Sequence, residues 1–425
     1  MFNFFKKKTA TKEVAKEVKE VQEVKEVVKK AVKGEKHILA VMEKTGWDYA
    51  KAHKAMKQAK KDFGIKYAHY NRYEFYNIPV EEQAQKYEEV LAKIERRKLH
   101  KEKKQEKAIA GIMEKTGWDH DYTEAKILEA QERTGCTYKE YLIYKFYELD
   151  AAEQEEVFVA HESRKITAKY DVNKEFVDML YNKEATNEYF SEFLNRPWCV
   201  NTKISLEDFT EKFAESKRII YKPLDGNRGR GVEAYDICRE NAKEIYDELV
   251  TFPAGVVEQY VVQHPEMSTM SPTSVNTLRI VTISSNTQEV VEGKHLDIAY
   301  AALRMGGGKS IVDNFHSGGM VAAIDLETGK LVTDAADMEG NVFAEHPATG
   351  RTIKGFEIPH FKEALKLVTD AIEKNKVEGY LGWDVAITED GPVLIEVNVI
   401  PGVVLLSMPY VAERKGMRYV MAKYL

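Results

Sequence analysis

Valines at 14, 18, 21, 28 and 32 recur at helical spacing in a background of lysine and glutamate, which predicts one narrow apolar stripe on a helix. Residues 1–36 thus form a charged N-terminal helix or tail. Phe2, Phe4 and Phe5 precede Lys6, Lys7 and Lys8. Three readings stand for this segment. It is a coiled-coil or docking helix for a protein partner, a peripheral membrane contact with the phenylalanines inserting and the lysines facing anionic lipid, or a solvated tail.

The next pattern is a duplication. Glu43-Lys44-Thr45-Gly46-Trp47-Asp48 returns as Glu114-Lys115-Thr116-Gly117-Trp118-Asp119, and at the same offset Gly64, Tyr67, Tyr70 and Tyr73 match Gly135, Tyr138, Tyr141 and Tyr144. Phe75-Tyr76 and Glu82-Gln83 match Phe146-Tyr147 and Glu153-Gln154 without a gap. Such agreement marks two copies of one supersecondary unit. A helical region over 37–159 is expected, with repeats at 37–92 and 108–159 and a charged connector from Lys93 to Lys107. Each repeat reads as a helix, a Gly-Trp-Asp turn, a second helix, a glycine break and an aromatic-rich helix. The tyrosines, three apart along one face, suit packing or protein docking; a stacking platform for nucleic acid or sugar is the alternative. Two repeats are too few for a free solenoid, so they are expected to lean on the domain that follows.

From about 160 to 425 strand-like segments alternate with helices. Ile219–Lys222, Gly255–Val262, Leu278–Ile283, Leu296–Arg304, Val321–Asp325, Gly382–Thr388 and Val393–Asn398 have strand composition. Phe361, Leu365, Val368 and Ile372 predict a helix with one buried face. An α+β domain follows.

Composition narrows the class without naming a function. A net charge of -6 gives no overall pull toward nucleic acid, and no nucleic-acid partner is expected. Cys136, Cys199 and Cys238 have no metal-ligand spacing and cannot form a closed disulfide set, which fits a reducing compartment. With no apolar run of about 18 residues and no signal-peptide order at the start, a cytoplasmic protein is expected, with peripheral contact at the inner membrane face the alternative for its N-terminal region.

Two segments carry chemistry. In the first, a strand ends at Lys222 and runs into a loop with Gly226, Arg228, Gly229, Arg230 and Gly231 before a second strand. The glycines let backbone N–H groups close on an anion, and the cations supply charge where phosphates would lie. A strand follows the loop, so it is neither the Walker nor the Rossmann loop, and a plain glycine-rich hairpin would also account for it. In the second, Gly382–Ile387 and Val393–Asn398 flank a turn at Asp390-Gly391-Pro392. If the turn centres on Asp390 or Gly391, Asp384 lies opposite Glu396 or Asn398, and two carboxylates converge with an amide oxygen on one face. Trp383, Val385, Ile395 and Val397 then point to the other. Such hard oxygen donors suit Mg²⁺; a half-exposed hairpin with ordinary polar residues is the plainer reading.

Taken with Ser274-Val275-Asn276-Thr277-Leu278-Arg279 and Asp313-Asn314-Phe315-His316-Ser317-Gly318-Gly319, these segments resemble the ATP-grasp superfamily, most closely its sugar-transfer-associated group, over about 160–410. The resemblance implies a catalytic domain of two α+β lobes gripping ATP, preceded here by the helical region with its duplicated unit. It implies that Lys222 contacts the nucleotide phosphates and that the 226–231 loop closes over them. Lys183 resembles the family's first nucleotide-binding lysine, although Asn182 stands where Asp is common. Glu258, Gln259 and Val261 would lie against adenine, with Glu258 near its exocyclic amine. Asp384, Glu396 and Asn398 would hold Mg²⁺ against the phosphates of ATP. Arg279 and Arg304 suit an acyl-phosphate or a substrate carboxylate, or else a structural ion pair. His316 would act as an acid/base or as a hydrogen-bonding contact in a substrate loop.

The activity so implied is ATP-dependent coupling of a small-molecule carboxylate to an amine or a sugar-linked acceptor, in polysaccharide or peptide modification. A phosphotransferase of the same fold and a partner-binding protein with a regulatory ATP site are the alternatives.

Overall fold

The computed structural model describes residues 35–170, 173–224, 231–308, 318–411 and 413–425. The valine stripe with its phenylalanines, the loop positions Gly226, Arg228 and Gly229, and His316 lie outside the described residues. Packing divides the chain between Lys104 and Gln105.

In the first unit the helices Glu35–Thr45, Tyr49–Phe63 and Tyr67–Arg72 enclose a core of Ile38, Val41, Met56, Ile65, Tyr70 and Phe75. Thr45 ends its helix by donating its hydroxyl to the Val41 carbonyl and accepting from the Trp47 N–H. Asp48 caps the next helix by accepting from the Lys51 N–H at 2.7 Å, and Gly64 ends it at φ 70°, a conformation that favours glycine. The helix Gln83–Thr116 has no buried residue from 91 to 107, so the charged connector is its solvated middle.

The same devices recur in the second unit. Thr116 donates to Ile112 and accepts from Trp118, Asp119 accepts from the Tyr122 N–H, and Gly135 ends the helix His120–Thr134 at φ 75°. Gln83 and Gln154 each donate to two carbonyls of the turn before them. The letters shared by the two copies are thus the residues that cap, turn and pack. Tyr70, Tyr141 and Tyr144 are buried, which makes them core.

The second unit is α+β. Strands β1 (Trp198–Val200), β2 (Arg218–Pro223), β3 (Glu233–Asp236) and β4 (Gly255–Gln259) form an antiparallel sheet in the order β1-β4-β2-β3. Ile219, Tyr221 and Val257 pack under the helices Leu206–Phe213 and Ala242–Leu249, so alternation turns Lys222 and Glu258 to the opposite face. Seven more strands, β5 (Thr277–Ser284), β6 (Leu296–Met305), β7 (Met320–Ile324), β8 (Ala335–Asp337), β9 (Val342–Phe343), β10 (Gly379–Thr388) and β11 (Gly391–Asn398), form a second antiparallel sheet ordered β11-β10-β5-β6-β7-β8-β9.

One face of this larger sheet packs Leu278, Ile280, Leu303, Leu381 and Trp383 against the helix Phe361–Asn375. On the other, Val281, Ile283, Tyr300, Ala302 and Tyr380 share a core with Ile112, Ile127, Tyr141 and Phe146 of the second helical copy and with Leu406, Met417 and Tyr424 near the C-terminus. The second copy therefore leans on the sheet, as was expected of both repeats, whereas the first closes a core of its own.

The C-terminal segment closes against that copy through backbone. The Arg418 N–H donates to the Glu156 carbonyl, and a Cβ added at Gly416 would stand 1.7 Å from the same oxygen. Gly416→Ala should therefore destabilise the fold by about 1–3 kcal/mol or more, the scale of an overpacked contact that backbone must relieve. Urea unfolding measures this, and an unchanged midpoint would show that the segment yields freely.

Candidate active site

Four strands of the larger sheet bring a row of charges onto the face shared with the second helical copy, beyond its apolar rows. β10 pairs with β5 so that Asp384 stands opposite Arg279, and Arg304 on β6 is diagonal to it. Asp384 is 3% exposed, and both of its oxygens are taken. Arg279 donates Nε to Oδ1 at 2.5 Å and Nη2 to Oδ2 at 3.1 Å, while Arg304 donates Nη1 to Oδ2 at 2.7 Å. Arg279 also donates Nη1 to the Pro401 carbonyl at 2.6 Å. Gly382 makes room for this side chain, since a Cβ there would meet Arg279 Cδ and Pro401 Cα at 3.0 Å.

The hairpin β10–β11 supplies the rest of the row. Its turn is tighter than the sequence suggested: Thr388 pairs with Gly391, a register that by itself would set Asp384 opposite Ile395, with their side chains on one face and Glu396 on the other. A bulge at Ile395 of β11, opposite the Asp384–Val385 step, adds one residue and restores the pairing of Asp384 with Glu396 and Gly382 with Asn398. Asn398 turns its Nδ2 toward Asp384 Oδ2 at 3.5 Å, which leaves its Oδ1 as the oxygen available to a cation.

Electrostatics tie this row to the smaller sheet. Glu396 is exposed at the end of the row; partial desolvation by its surroundings and the nearby Asp384 charge raise its carboxyl above the usual range, against the pull of Lys222, Arg279 and Arg304. One carboxylate thus feels all four of the other charged groups. Burial works to raise Asp384 as well, but the two guanidinium groups overcome it and hold that carboxyl below its ordinary value.

On the smaller sheet Lys222 donates Nζ to Glu258 Oε2 at 3.0 Å, a diagonal pair across β2 and β4. Glu258 also accepts from Arg196 Nε at 2.8 Å and from Asn187 Nδ2 at 3.2 Å. Burial disfavours its charge, yet Arg196 and Lys222 hold it down to about 2. Arg196 in turn donates Nη1 to the Leu394 carbonyl of β11 at 2.6 Å and so bridges the two sheets. Gln259 ends β4, with its N–H bonded to Pro197, and Val261 follows in the extended segment that leads to the larger sheet, where the His264 N–H meets the Ile387 carbonyl. Lys183, at the start of the helix Lys183–Tyr189, donates to the Leu224 carbonyl at the mouth of the glycine loop, and Gly231 closes that loop at φ 70°.

Asp384, Glu396, Asn398, Arg279, Arg304 and Lys222 therefore form one electrostatic cluster, with Glu258 behind Lys222. The sequence reading missed Arg196 and Asn187. Arg196 lies in an irregular stretch before β1, and no spacing marks it; only the acid it meets in space does. The cluster is defined by charge, since a cavity of about 910 Å³ lies elsewhere, lined by Ser284, Leu296, Ile298, Ile372 and Lys376.

This fold, two α+β sheets with a lysine on one and a carboxylate hairpin on the other, is that of an ATP-grasp protein. A family model described as sugar-transfer associated ATP-grasp matches residues 167–420, and the chain belongs to that family. Among solved structures it is similar to D-alanyl-alanine synthetase A of Vibrio cholerae, at 15% identity and a TM-score of 0.32 over 58% of this chain and 65% of that one. It is similar also to the D-alanine-D-alanine ligase of Coxiella burnetii, at 9% and 0.36 over 60% and 58%. A third is the N5-carboxyaminoimidazole synthetase of Staphylococcus aureus complexed with ADP, at 11% and 0.34 over 54% and 48%. The chain spans less than two thirds of the length of each. No curated protein sequence matches.

Two stability predictions follow from the pairs. Asp384→Asn leaves two partly buried guanidinium groups without their anion and should cost about 3–5 kcal/mol by chemical denaturation; a loss under about 1 kcal/mol would show that solvent already screens the pair. Glu258 is depressed in the fold, so its stabilisation is complete above its ordinary value of 4.5 and is lost as pH falls through about 2. The stability gap between wild type and Glu258→Gln should therefore be flat above pH 4.5 and narrow from there toward pH 2. A gap that widens on acidification would contradict the assignment.

Proposed function

We propose that the chain is an ATP- and magnesium-dependent ligase that joins a carboxylate to an amine or another nucleophile through an acyl-phosphate. The observation that carries this is Glu396, a poorly neutralised carboxylate beside Asp384 and within electrostatic reach of Lys222, Arg279 and Arg304. Two carboxylates and an amide oxygen are a donor set that fits Mg²⁺, and the raised Glu396 is a site where a divalent cation would relieve repulsion. When bound, the ion supplies charge neutralisation to the triphosphate.

The remaining work falls to the chain. Lys222, steadied by Glu258, binds phosphate oxygens, with Lys183 as the second cation. Glu258 commits its carboxylate to Arg196 and Lys222, so adenine is read by the backbone of the Gln259–Val261 segment. A substrate carboxylate oxygen attacks the γ-phosphorus; the β–γ bridging bond breaks and ADP leaves with its electron pair. The amine then adds to the acyl carbon, loses a proton, and expels phosphate with the C–O electron pair. Arg279 and Arg304, aligned by Asp384, would serve the acyl-phosphate or the incoming carboxylate. The family's description points to a sugar-linked acceptor. Free thiols at Cys136, Cys199 and Cys238 fit a reducing, cytoplasmic setting. Among the described residues no helix is long and apolar enough to cross a membrane.

Purified chain with Mg-ATP and pools of carboxylates and amines should release ADP only when both members of the right pair are present. Glu396→Gln should lower that turnover by roughly 100-fold or more without lowering the unfolding temperature, because it removes a charge that the fold holds unfavourably. AMP release would refute the acyl-phosphate, and a stable phosphorylated product formed without an amine would make the protein a kinase.

A further inference from the structure

The duplication provides an internal control on its own surface. Both copies bury the same face of their second helix: Ala52, Met56 and Ala59 in one, Thr123, Ile127 and Ala130 in the other. The outer faces have nothing in common. In the first copy Lys51, Lys54, Lys57, Lys60 and Lys61 are all exposed, and among the described residues none is paired with a carboxylate. Their counterparts at the same offset are Tyr122, Ala125, Leu128, Gln131 and Glu132. The fold therefore needs none of the five lysines, since the second copy adopts it without them.

The stripe belongs to a wider imbalance. The first 104 residues hold 27 of the 63 basic side chains but only 16 of the 69 acidic ones, so a basic N-terminal portion is joined to an acidic remainder.

We propose that the lysine face of the helix Tyr49–Phe63 is a docking surface for an anionic lipid bilayer. Charge complementarity supplies the attraction, and the composition of the face selects the partner. It has lysines and no arginine: hydrated point charges suited to a diffuse anionic surface rather than to bidentate reading of individual phosphates. Two of the nearby rings carry a lysine over their faces, which makes them poor stacking platforms for bases. Lys51 lies over Trp47 at 4.6 Å from the ring centre and Lys60 over Tyr67 at 5.8 Å. The apolar side of the helix is committed to its own core, so the contact is made by charge at headgroup level, without insertion of the helix. Tyr49, 40% exposed in the first turn, adds an amphipathic ring of the kind that sits at that level. The proposal is independent of the ligase reading.

The test is sedimentation of the full chain with vesicles of phosphatidylcholine alone or with roughly a third phosphatidylglycerol, a composition on which lysines act individually. Binding should require the anionic lipid and fall with salt. The triple variant Lys54→Gln, Lys57→Gln, Lys61→Gln should lose about 100-fold in partitioning, at roughly fivefold per lysine. Glutamine matches lysine in helix propensity, so the helix should persist by circular dichroism. Were the triple variant to unfold, Lys57→Gln alone, with its expected fivefold loss, decides the matter. Equal loss on changing Lys101, Lys103 and Lys104, equal binding to neutral vesicles, or retention by DNA without vesicle binding would overturn the assignment.

Discussion

Asp384 keeps its charge in a position where water scarcely reaches it, and this is tolerable only because Arg279 and Arg304 occupy both of its oxygens. An unpaired carboxylate there would cost several kcal/mol and would take up a proton. The pairing in turn demands that β10, β5 and β6 hold one register, since a slip of a single residue would send every partner to the opposite face of the sheet. The bulge in the β10–β11 hairpin belongs to the same constraint. Without it the turn would place Ile395 beside Asp384, and Glu396 would leave the cluster.

Much of this was legible in the sequence, and the boundary of legibility has a physical cause. The strand Leu278–Ile283 announces itself because both faces of a central strand are buried and the composition follows, and Val393–Asn398, at the edge of the sheet, does so through its own apolar positions Val393, Leu394 and Val397. The short strands β1, β8 and β9 carry too few residues for a pattern. The convergence of Asp384 with Glu396 was expected from alternation around a turn at Asp390 or Gly391; the structure reaches the same pairing through a tighter turn corrected by a bulge, which periodicity alone cannot reveal. Arg196 was invisible because its role is defined by Glu258 and the Leu394 carbonyl, groups that are remote in sequence.

The repeated helical unit shows the same division between what a fold needs and what a site needs. Thr45 with Asp48 and Thr116 with Asp119 are preserved together with their hydrogen bonds, because each supplies a cap or a turn that either copy would lose without it. Outer positions were free to diverge. The second copy spends its apolar surface on the sheet and the C-terminal segment, whereas the first closes a core of its own.

Charge balance also constrains how ligands enter the cluster. A cation that draws on Asp384 weakens the hold of that carboxylate on two guanidinium groups, and these then require another anion. A bare anion at the guanidinium groups would instead add negative charge near Glu396, whose carboxyl desolvation and the Asp384 charge already raise. Neither ligand is well accommodated alone. On the proposed function, a triphosphate carrying its divalent cation would satisfy both halves at once, with Asp384, Glu396 and Asn398 available to the cation and Lys222 and the arginines to the phosphates. On that proposal, the pairs that hold the site together are the ones that would favour the nucleotide as its metal complex.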